Sequence, residues 1–253
     1  MMKHILCFGD SNLFGSNPSG GRWPLEQRWT GILARSLGED YHLIEEGLGG
    51  RTTIFDDPLE EDKCGVRQLP MLLHSHRPLD LVILSLGTND CKTLFNTSAR
   101  ITAKALEKLA LVVRNYPYGE HYTTPHVLVV APIHIEERVG EFFPSFDRSS
   151  HLLSKQLGPA IKEMAERNNL LFLDASLVAQ SSPIDQLHMD RDGHSSVAAA
   201  LLPMILDWFG DERFLDAGDQ EIKGGGETEK EAAPSSRRRG RVPQGFKLFK
   251  KKS

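Results

Sequence analysis

The sequence predicts an α/β fold built on a parallel β-sheet. Five short apolar runs alternate with stretches of helical spacing, and two of the runs are apolar along almost their whole length. Alternating strands and helices favour parallel strands joined by right-handed crossovers. Nearly continuous apolar strands indicate a sheet that helices cover on both faces. A chain of 253 residues is long enough to build this architecture around one sizeable core.

The predicted elements follow one another in regular order. The strands are "HILCF" (4–8), "YHLIEE" (41–46), "LDLVILSLG" (79–87), "HVLVVAP" (126–132) and "LLFLDA" (170–175). Amphipathic spacing predicts helices over "RWTGILARSLG" (28–38), "VRQLPMLLHSH" (66–76), "SARITAKALEKLALVVRNY" (98–116), "SSHLLSKQLGPAIKEMAERNN" (149–169) and "HSSVAAALLPMILDWFG" (194–210). The sequence contains no internal repeat.

The charge is divided unevenly along the chain. Residues 217–253 hold 10 of the 30 Lys and Arg residues and 5 of the 34 Asp and Glu residues, so this segment is basic and residues 1–216 are acidic. We expect one domain over 1–216 and a disordered tail over 217–253, whose few apolar residues cannot offset the entropy of ordering. The runs "RRRGR" and "KLFKKK" are found in nucleic-acid or anionic-membrane patches, but we favour their interpretation as part of a solvated tail. The acidic body offers no basic face, so we expect no nucleic-acid partner.

Targeting and redox features are sparse. The apolar run near the N-terminus is too short for a signal peptide, and no segment reaches the roughly 18 continuous apolar residues of a membrane span. We therefore expect a cytoplasmic protein. The three cysteines form neither an even disulfide framework nor a paired metal-ligand spacing, which indicates reduced thiols.

Chemically capable residues follow the predicted strands. In an open parallel sheet, ligands bind beyond the carboxyl ends of the strands. The segments found there are "GDS" (9–11) after the first strand, "GLGGRTT" (47–53) after the second, "GTND" (87–90) after the third and "DQLH" (185–188) beyond the fifth.

These segments supply what ester cleavage through a serine requires. Ser11 is the candidate nucleophile, His188 the candidate base, and Asp185 the group that orients the imidazole. The backbone N–H groups of Ser11 and Gly50 and the side-chain amide of Asn89 are candidate oxyanion donors. Each segment also has a structural interpretation as a glycine turn, a helix cap or a loop hydrogen bond, but their joint occurrence after the right strands favours a hydrolase.

Other histidines compete for the role of base. His194 has two aspartates nearby, but it lies at the predicted start of the last helix, where its ring would pack or cap. His134 follows the fourth strand and is a more distant rival. His74 and His76 lie two residues apart with no third ligand in the sequence, so we expect no metal site.

The four segments resemble the sequence blocks of the SGNH (GDSL-type) hydrolases over residues 3 to about 210. The longer runs "ILCFGDS", "IEEGLGGRTT" and "PLDLVILSLGTND" are similar to the bacterial arylesterase and acyltransferase branch. The resemblance implies a flavodoxin-like three-layer α/β/α fold with a five-stranded parallel sheet. It also implies short-chain or aryl ester substrates, transfer of the acyl group to water, alcohols or peroxide, no metal or organic cofactor, and a homo-oligomer.

Three positions depart from the family pattern. Gln186 stands where the D-x-x-H block usually has glycine, and Asn12 and Phe14 replace the more common aliphatic and tryptophan residues beside the nucleophile. These departures bear on acyl-chain preference and on the choice between alcohol and water.

The substrate pocket is expected at the same rim, with Leu13, Phe14 and Phe95 as wall residues. The aromatic loop "GEFFPSF" (140–146) is interpreted as a substrate lid or subunit contact, or alternatively as a small core cluster. Two other functions stay open: a carbohydrate O-acetylesterase, and a non-catalytic flavodoxin-like binding domain. The second lacks the Ser/Thr-rich phosphate loop that a flavin carrier needs after its first strand.

Overall fold

The computed structural model describes residues 2–211 and residue 213 of the chain. Its strands are β1 (Lys3–Gly9), β2 (Tyr41–Gly47), β3 (Leu81–Ser85), β4 (His126–Ala131) and β5 (Leu171–Asp174). Its helices are α1 (Ser11–Phe14), α2 (Trp29–Leu37), α3 (Gly65–His76), α4 (Ala99–Asn115), α5 (Arg148–Arg167) and α6 (Arg191–Phe209). The expected tail, 217–253, lies outside the described residues.

The sheet is parallel throughout and has the strand order β2-β1-β3-β4-β5. This order confirms the predicted α/β fold with a five-stranded flavodoxin-like sheet. The chain leaves β1 toward β2 on one side and returns to β3 on the other, so the switch point lies between β1 and β3. Gly9 at the end of β1 pairs with Gly47 of β2 and Ser85 of β3, so these strands end at one level.

Two apolar layers cover the sheet, as its nearly continuous apolar strands predict. Along β1, Ile5 and Cys7 pack with α2 and α6, whereas Leu6 and Phe8 pack with α3, α4 and α5. Alternation of side chains along a strand produces this division. The result is a three-layer sandwich in which helices cover both faces of the sheet. Loops lie at the carboxyl edge of the sheet.

Two element boundaries differ from prediction. Helix α6 begins at Arg191, three residues before the predicted start, because the Asp190 side chain accepts the Gly193 N–H at 2.8 Å and caps the helix there. Strand β3 is shorter than the predicted 79–87 and ends at Ser85. Gly87 lies just beyond it with a φ of 129°, a conformation that glycine adopts readily and that ends the extended run.

The part of the chain that the structure describes contains no helix that is both long enough and apolar enough to cross a membrane.

Candidate active site

Ser11 begins a one-turn helix directly after β1. The Asp10 side chain caps this turn by accepting the Asn12 N–H at 3.0 Å. Gly15 ends the turn with a φ of 82°, and its N–H donates to the Ser11 carbonyl at 2.9 Å. Since a left-handed residue is favourable mainly for glycine, Gly15 lets the chain reverse immediately after the turn. Ser11 is thus held on a short, doubly capped turn and is 5% exposed.

Asp185 and His188 form a tight pair on the loop before α6. The Nδ1 atom of His188 lies 2.6 Å from Oδ2 of Asp185, and the other carboxylate oxygen accepts the backbone N–H groups of Leu187 and His188, both at 3.0 Å. Burial raises the pKa of the Asp185 carboxyl, but these hydrogen bonds outweigh burial and leave the pKa below its usual value. An ionised Asp185 holds the proton of His188 on Nδ1 and leaves Nε2 free to act as a base.

The loop that carries the pair has a left-handed residue. Gln186 has a φ of 67°, a region that non-glycine residues rarely adopt. It is fixed on both sides, since its N–H donates to the Ser182 carbonyl at 2.8 Å and its carbonyl accepts the Glu136 N–H at 2.9 Å. The conformation for which the family pattern uses glycine is therefore present, and a glutamine adopts it.

The predicted oxyanion donors lie on the loops after β2 and β3. Gly50 has a φ of 78°, and the side chains of Glu60 and Lys63 occupy the space that a β-carbon there would need. Asn89 is buried, and its amide nitrogen donates to the Arg51 carbonyl at 3.1 Å. Because an amide nitrogen has two hydrogens, Asn89 keeps a second donor.

Buried charges tie these loops to the sheet. Asp90 accepts the Thr53 N–H at 3.1 Å and also the Thr53 hydroxyl. Burial raises the pKa of Asp90 to about 6, and the nearby Asp10 carboxylate adds to the increase. The guanidinium of Arg51 donates to the Gly9 carbonyl at 2.8 Å and lies 4.2 Å from the centre of the Phe8 ring, and burial lowers its pKa to about 10. The glycine loop, residues 47–53, is thereby fixed to the end of β1 and to the segment that follows β3.

The predicted pocket residues have different positions. Leu13 is fully buried in the core layer with α2 and α6, so it lies in the core and not at a pocket surface. Phe14 is half-buried beneath the Arg22 guanidinium, which is 4.1 Å from its ring centre. Phe95 is half-buried and stacks on Phe55 at 4.8 Å between ring centres.

The three phenylalanines of the aromatic loop 140–146 lie in different surroundings. Phe146 is buried in the core, and Phe142 is 42% exposed. Phe143 is half-buried and meets the His188 ring edge-on, with 5.7 Å between ring centres. This loop therefore contacts the proposed base directly, a relation that the sequence does not reveal.

The other histidines considered in the sequence make structural contacts. His194 is fully buried, and its Nδ1 accepts the Trp29 N–H at 3.3 Å. Burial lowers the pKa of His194 to about 4. His74 contacts the Tyr116 hydroxyl at 2.8 Å, and His76 contacts the Glu46 carboxylate at 2.8 Å. Among the described residues, no three His, Cys, Asp or Glu side chains come together to hold a metal ion.

Asn12 departs from the family pattern in the sequence, but its contact with the loop of His188 is not predicted there. Its side chain lies against the loop of His188, accepting the Met189 N–H at 3.0 Å and donating to the Leu187 carbonyl at 3.5 Å. No hydrogen bond joins the Ser11 hydroxyl to the His188 ring directly. Such bonds are often long in an unliganded enzyme and shorten when substrate binds. The structure thus brings Ser11, Asp185 and His188 to one edge of the sheet, with Asn12 linking the two segments.

Comparison with known proteins gives a consistent result. The model of the GDSL-like lipase/acylhydrolase family matches residues 7–199. A carbohydrate acetylesterase family member from Sinorhizobium meliloti is similar in structure with a TM-score of 0.79, at 36% identity over 83% of this chain and 100% of that chain. The native aryl esterase of M. smegmatis has a TM-score of 0.77, at 33% identity over 81% of this chain and 99% of that chain.

One curated relative is similar over a shorter stretch. The uncharacterized lipoprotein YqeF of Bacillus subtilis (strain 168) is 28% identical over 132 residues, which are 52% of this chain and 49% of that protein. The chain therefore spans about half the length of this relative.

Proposed function

Since the chain belongs to the GDSL-like lipase/acylhydrolase family and its residues 7–199 form a carboxylic ester hydrolase domain, we propose that it cleaves short-chain or aryl esters through an acyl-enzyme on Ser11. The observation that carries the proposal is the Asp185–His188 pair, joined at 2.6 Å on a loop that Asn12 connects to the turn of Ser11. A base oriented by a carboxylate beside a serine is the arrangement that activates a hydroxyl as nucleophile.

The proposed reaction has two steps. In the first, the Ser11 Oγ bonds to the ester carbonyl carbon while His188 Nε2 takes the hydroxyl proton. The N–H groups of Ser11 and Gly50 and the free amide hydrogen of Asn89 stabilise the negative oxygen. The leaving alkoxide then departs with the proton from His188. In the second step, water or an alcohol loses a proton to His188 and attacks the acyl carbon. The bond to Ser11 Oγ then breaks, and His188 returns the proton to Ser11 as the acid or the new ester leaves.

A second candidate function is the removal of acetyl groups from carbohydrates. The S. meliloti relative is named a carbohydrate acetylesterase, and charged groups surround Gly50 in this chain. The Lys63 ammonium donates to the Gly49 carbonyl at 2.9 Å, and the Glu60 carboxylate lies against Gly50. Polar groups at this position suit a substrate rich in hydroxyl groups, whereas the stacked Phe55 and Phe95 rings suit an aryl or acyl group.

A substrate panel separates these candidates. The purified protein is given p-nitrophenyl acetate, butyrate and octanoate and a peracetylated xyloside, each with and without benzyl alcohol, and both the acid and the benzyl ester are measured. We expect the highest kcat/KM on the short aryl esters. Preference for the sugar acetate supports the second candidate, and formation of benzyl ester identifies an acyltransferase.

The serine mechanism has its own test. An organophosphonate should add once, and peptide mass mapping should locate it at Ser11. Ser11→Ala should abolish both labelling and turnover. Labelling at another residue, or full activity of Ser11→Ala, would overturn the proposal.

A further inference from the structure

The side chain of Asn12 spans two separate segments of the chain. It is 7% exposed, and its amide oxygen accepts the Met189 N–H at 3.0 Å while its amide nitrogen donates to the Leu187 carbonyl at 3.5 Å. The first distance is typical of a hydrogen bond and the second lies at the outer limit. The two backbone groups belong to the residues on either side of His188. Asn12 therefore holds the main chain of the proposed base from both sides.

The other end of this connection is the turn of the proposed nucleophile. Asn12 follows Ser11 directly, and its own N–H is fixed by the Asp10 carboxylate at 3.0 Å. A side chain attached to a capped turn cannot shift far without moving the turn. The amide consequently fixes the histidine loop, residues 185–189, relative to Ser11.

Other contacts fix the histidine loop but do not connect it to the turn of Ser11. Asp185 holds the ring and backbone of His188 from within the loop. The Trp23 indole donates to the Met189 carbonyl at 3.4 Å, and the Glu136 N–H donates to the Gln186 carbonyl at 2.9 Å. None of these groups lies next to the nucleophile in the chain. Asn12 differs from them in joining the loop to the turn that carries the reacting hydroxyl.

We propose that Asn12 is a positioning residue that sets the separation of the Ser11 Oγ and the His188 Nε2 for proton transfer. The inference rests on the proposed function of Ser11 and His188. Only an amide offers a donor and an acceptor side by side, as the Leu187 carbonyl and Met189 N–H require. An aliphatic side chain, which the family resemblance leads one to expect beside the nucleophile, makes neither bond. Asn12 thus aligns the base of this chain through contacts that the expected aliphatic residue would not make.

Loss of Asn12 should change the position of the His188 ring and leave its pairing with Asp185 intact. Asp185 and His188 remain paired, so the base keeps its tautomer, but its ring is no longer fixed relative to Ser11. Misplacement of a catalytic group by about 1 Å lowers the rate about 100-fold. Both polar atoms of this buried amide are used by the histidine loop, so we expect kcat to fall and KM to change little.

The first experiment compares two variants that each remove a bond to Met189. Asn12→Leu is expected to lower kcat for p-nitrophenyl acetate about 100-fold, with thermal unfolding confirming that the variant is folded. The matched control, Trp23→Phe, removes the indole bond to the same residue and should keep kcat within about twofold. Equal losses in both variants, or a change in KM alone, would mean that the loop is merely loosened and would overturn the inference. Asn12→Ala takes the place of Asn12→Leu if the leucine variant does not fold.

The second experiment asks whether Asn12 acts through His188. In a His188→Ala background there is no base to position, so Asn12→Leu should change the residual rate by less than about twofold. The same fold-loss in both backgrounds would refute a positioning role. Phosphonate labelling separates this failure from failure of the proposed function. A wild-type protein not labelled at Ser11 refutes the serine mechanism, whereas Asn12→Leu labelled at Ser11 at the wild-type rate refutes only the role of Asn12.

Discussion

Two histidines six positions apart in the chain differ completely in their surroundings. His188 faces the Asp185 carboxylate on the loop before α6, whereas His194 is fully buried within α6 and accepts a backbone N–H from α2. We expect His188→Ala to lower kcat by at least about a thousandfold, as loss of a triad member does. His194→Ala should mainly lower the melting temperature, because it leaves a buried cavity. Both variants are assayed on one ester, and the reverse ranking would exclude His188 as the base.

The burial of His194 also gives stability a dependence on pH. Its folded-state pKa of about 4 is below the ordinary 6.5, so its contribution to stability is complete above pH 6.5 and is lost as the pH falls toward 4. Asp90 acts in the opposite sense. Its pKa is raised from 3.8 to about 6, so its contribution is present below pH 3.8 and is lost as the pH rises through 6.

The pH-dependent contributions of His194 and Asp90 to the free energy of unfolding should therefore nearly cancel in the wild-type protein. Asp90→Asn removes the Asp90 contribution and keeps that of His194, and we expect the free energy of unfolding to rise between pH 4.5 and 6.5 by about 2 kcal/mol more than in the wild type. Urea unfolding at the two pH values measures this difference. Parallel pH curves for the two proteins would show that Asp90 titrates normally.

Asn89 combines a structural bond with a proposed catalytic one. One amide hydrogen is used by the Arg51 carbonyl, and the other is free for a developing oxyanion. Asn89→Ala should lower kcat about 10²–10³-fold, the usual effect of losing one oxyanion donor. Single-turnover kinetics should locate the loss in acylation, with KM little changed. An unchanged kcat would mean that the amide serves only the glycine loop.

Among the elements, the histidine loop stores conformational strain at Gln186. A non-glycine residue in the left-handed region costs about 1 kcal/mol. We expect Gln186→Gly to raise the free energy of unfolding by about 0.5–1 kcal/mol. Asn169 is also left-handed, with a φ of 50°, and provides a control away from the site. Asn169→Gly should stabilise less, because asparagine tolerates this conformation better. A destabilised Gln186→Gly variant would show that its side-chain bond to the Pro183 carbonyl outweighs the strain.

The elements also show what the sequence could and could not predict. The apolar runs locate the five strands and the amphipathic runs locate the longer helices, since each pattern extends over a full element. The one-turn α1 is too short to show a period. Its side chains go to opposite surroundings, with Leu13 in the core and Asn12 on the histidine loop.

The position of the candidate site can also be predicted in part from the sequence. Parallel strands end at one edge, so residues that follow them can be expected to converge there, and Ser11, Asp185 and His188 do lie at that edge. The contact of Asn12 with Leu187 joins residues 175 positions apart and has no local signature. The edge contact of Phe143 with His188 is likewise a product of tertiary packing.

For the whole molecule, oligomeric state and location remain predictions. The family resemblance implies a homo-oligomer, and the sequence predicts a cytoplasmic location. The curated relative YqeF is named a lipoprotein, so its name does not favour the cytoplasm. Light scattering of the purified protein tests the first prediction, and fractionation of the native cells tests the second.

The strand order allows the enzyme to be divided into two genetically encoded halves. A break between Thr123 and Thr124, in an exposed connection, leaves β2, β1 and β3 in one fragment and β4 and β5 in the other. The first fragment carries the proposed nucleophile and the three proposed oxyanion donors, and the second carries the Asp185–His188 pair. We therefore expect neither half to turn over an ester alone, whereas co-expressed halves that rejoin along the paired strands β3 and β4 should regain activity. Fused to two interacting proteins, such halves would form a complementation reporter read by a chromogenic ester.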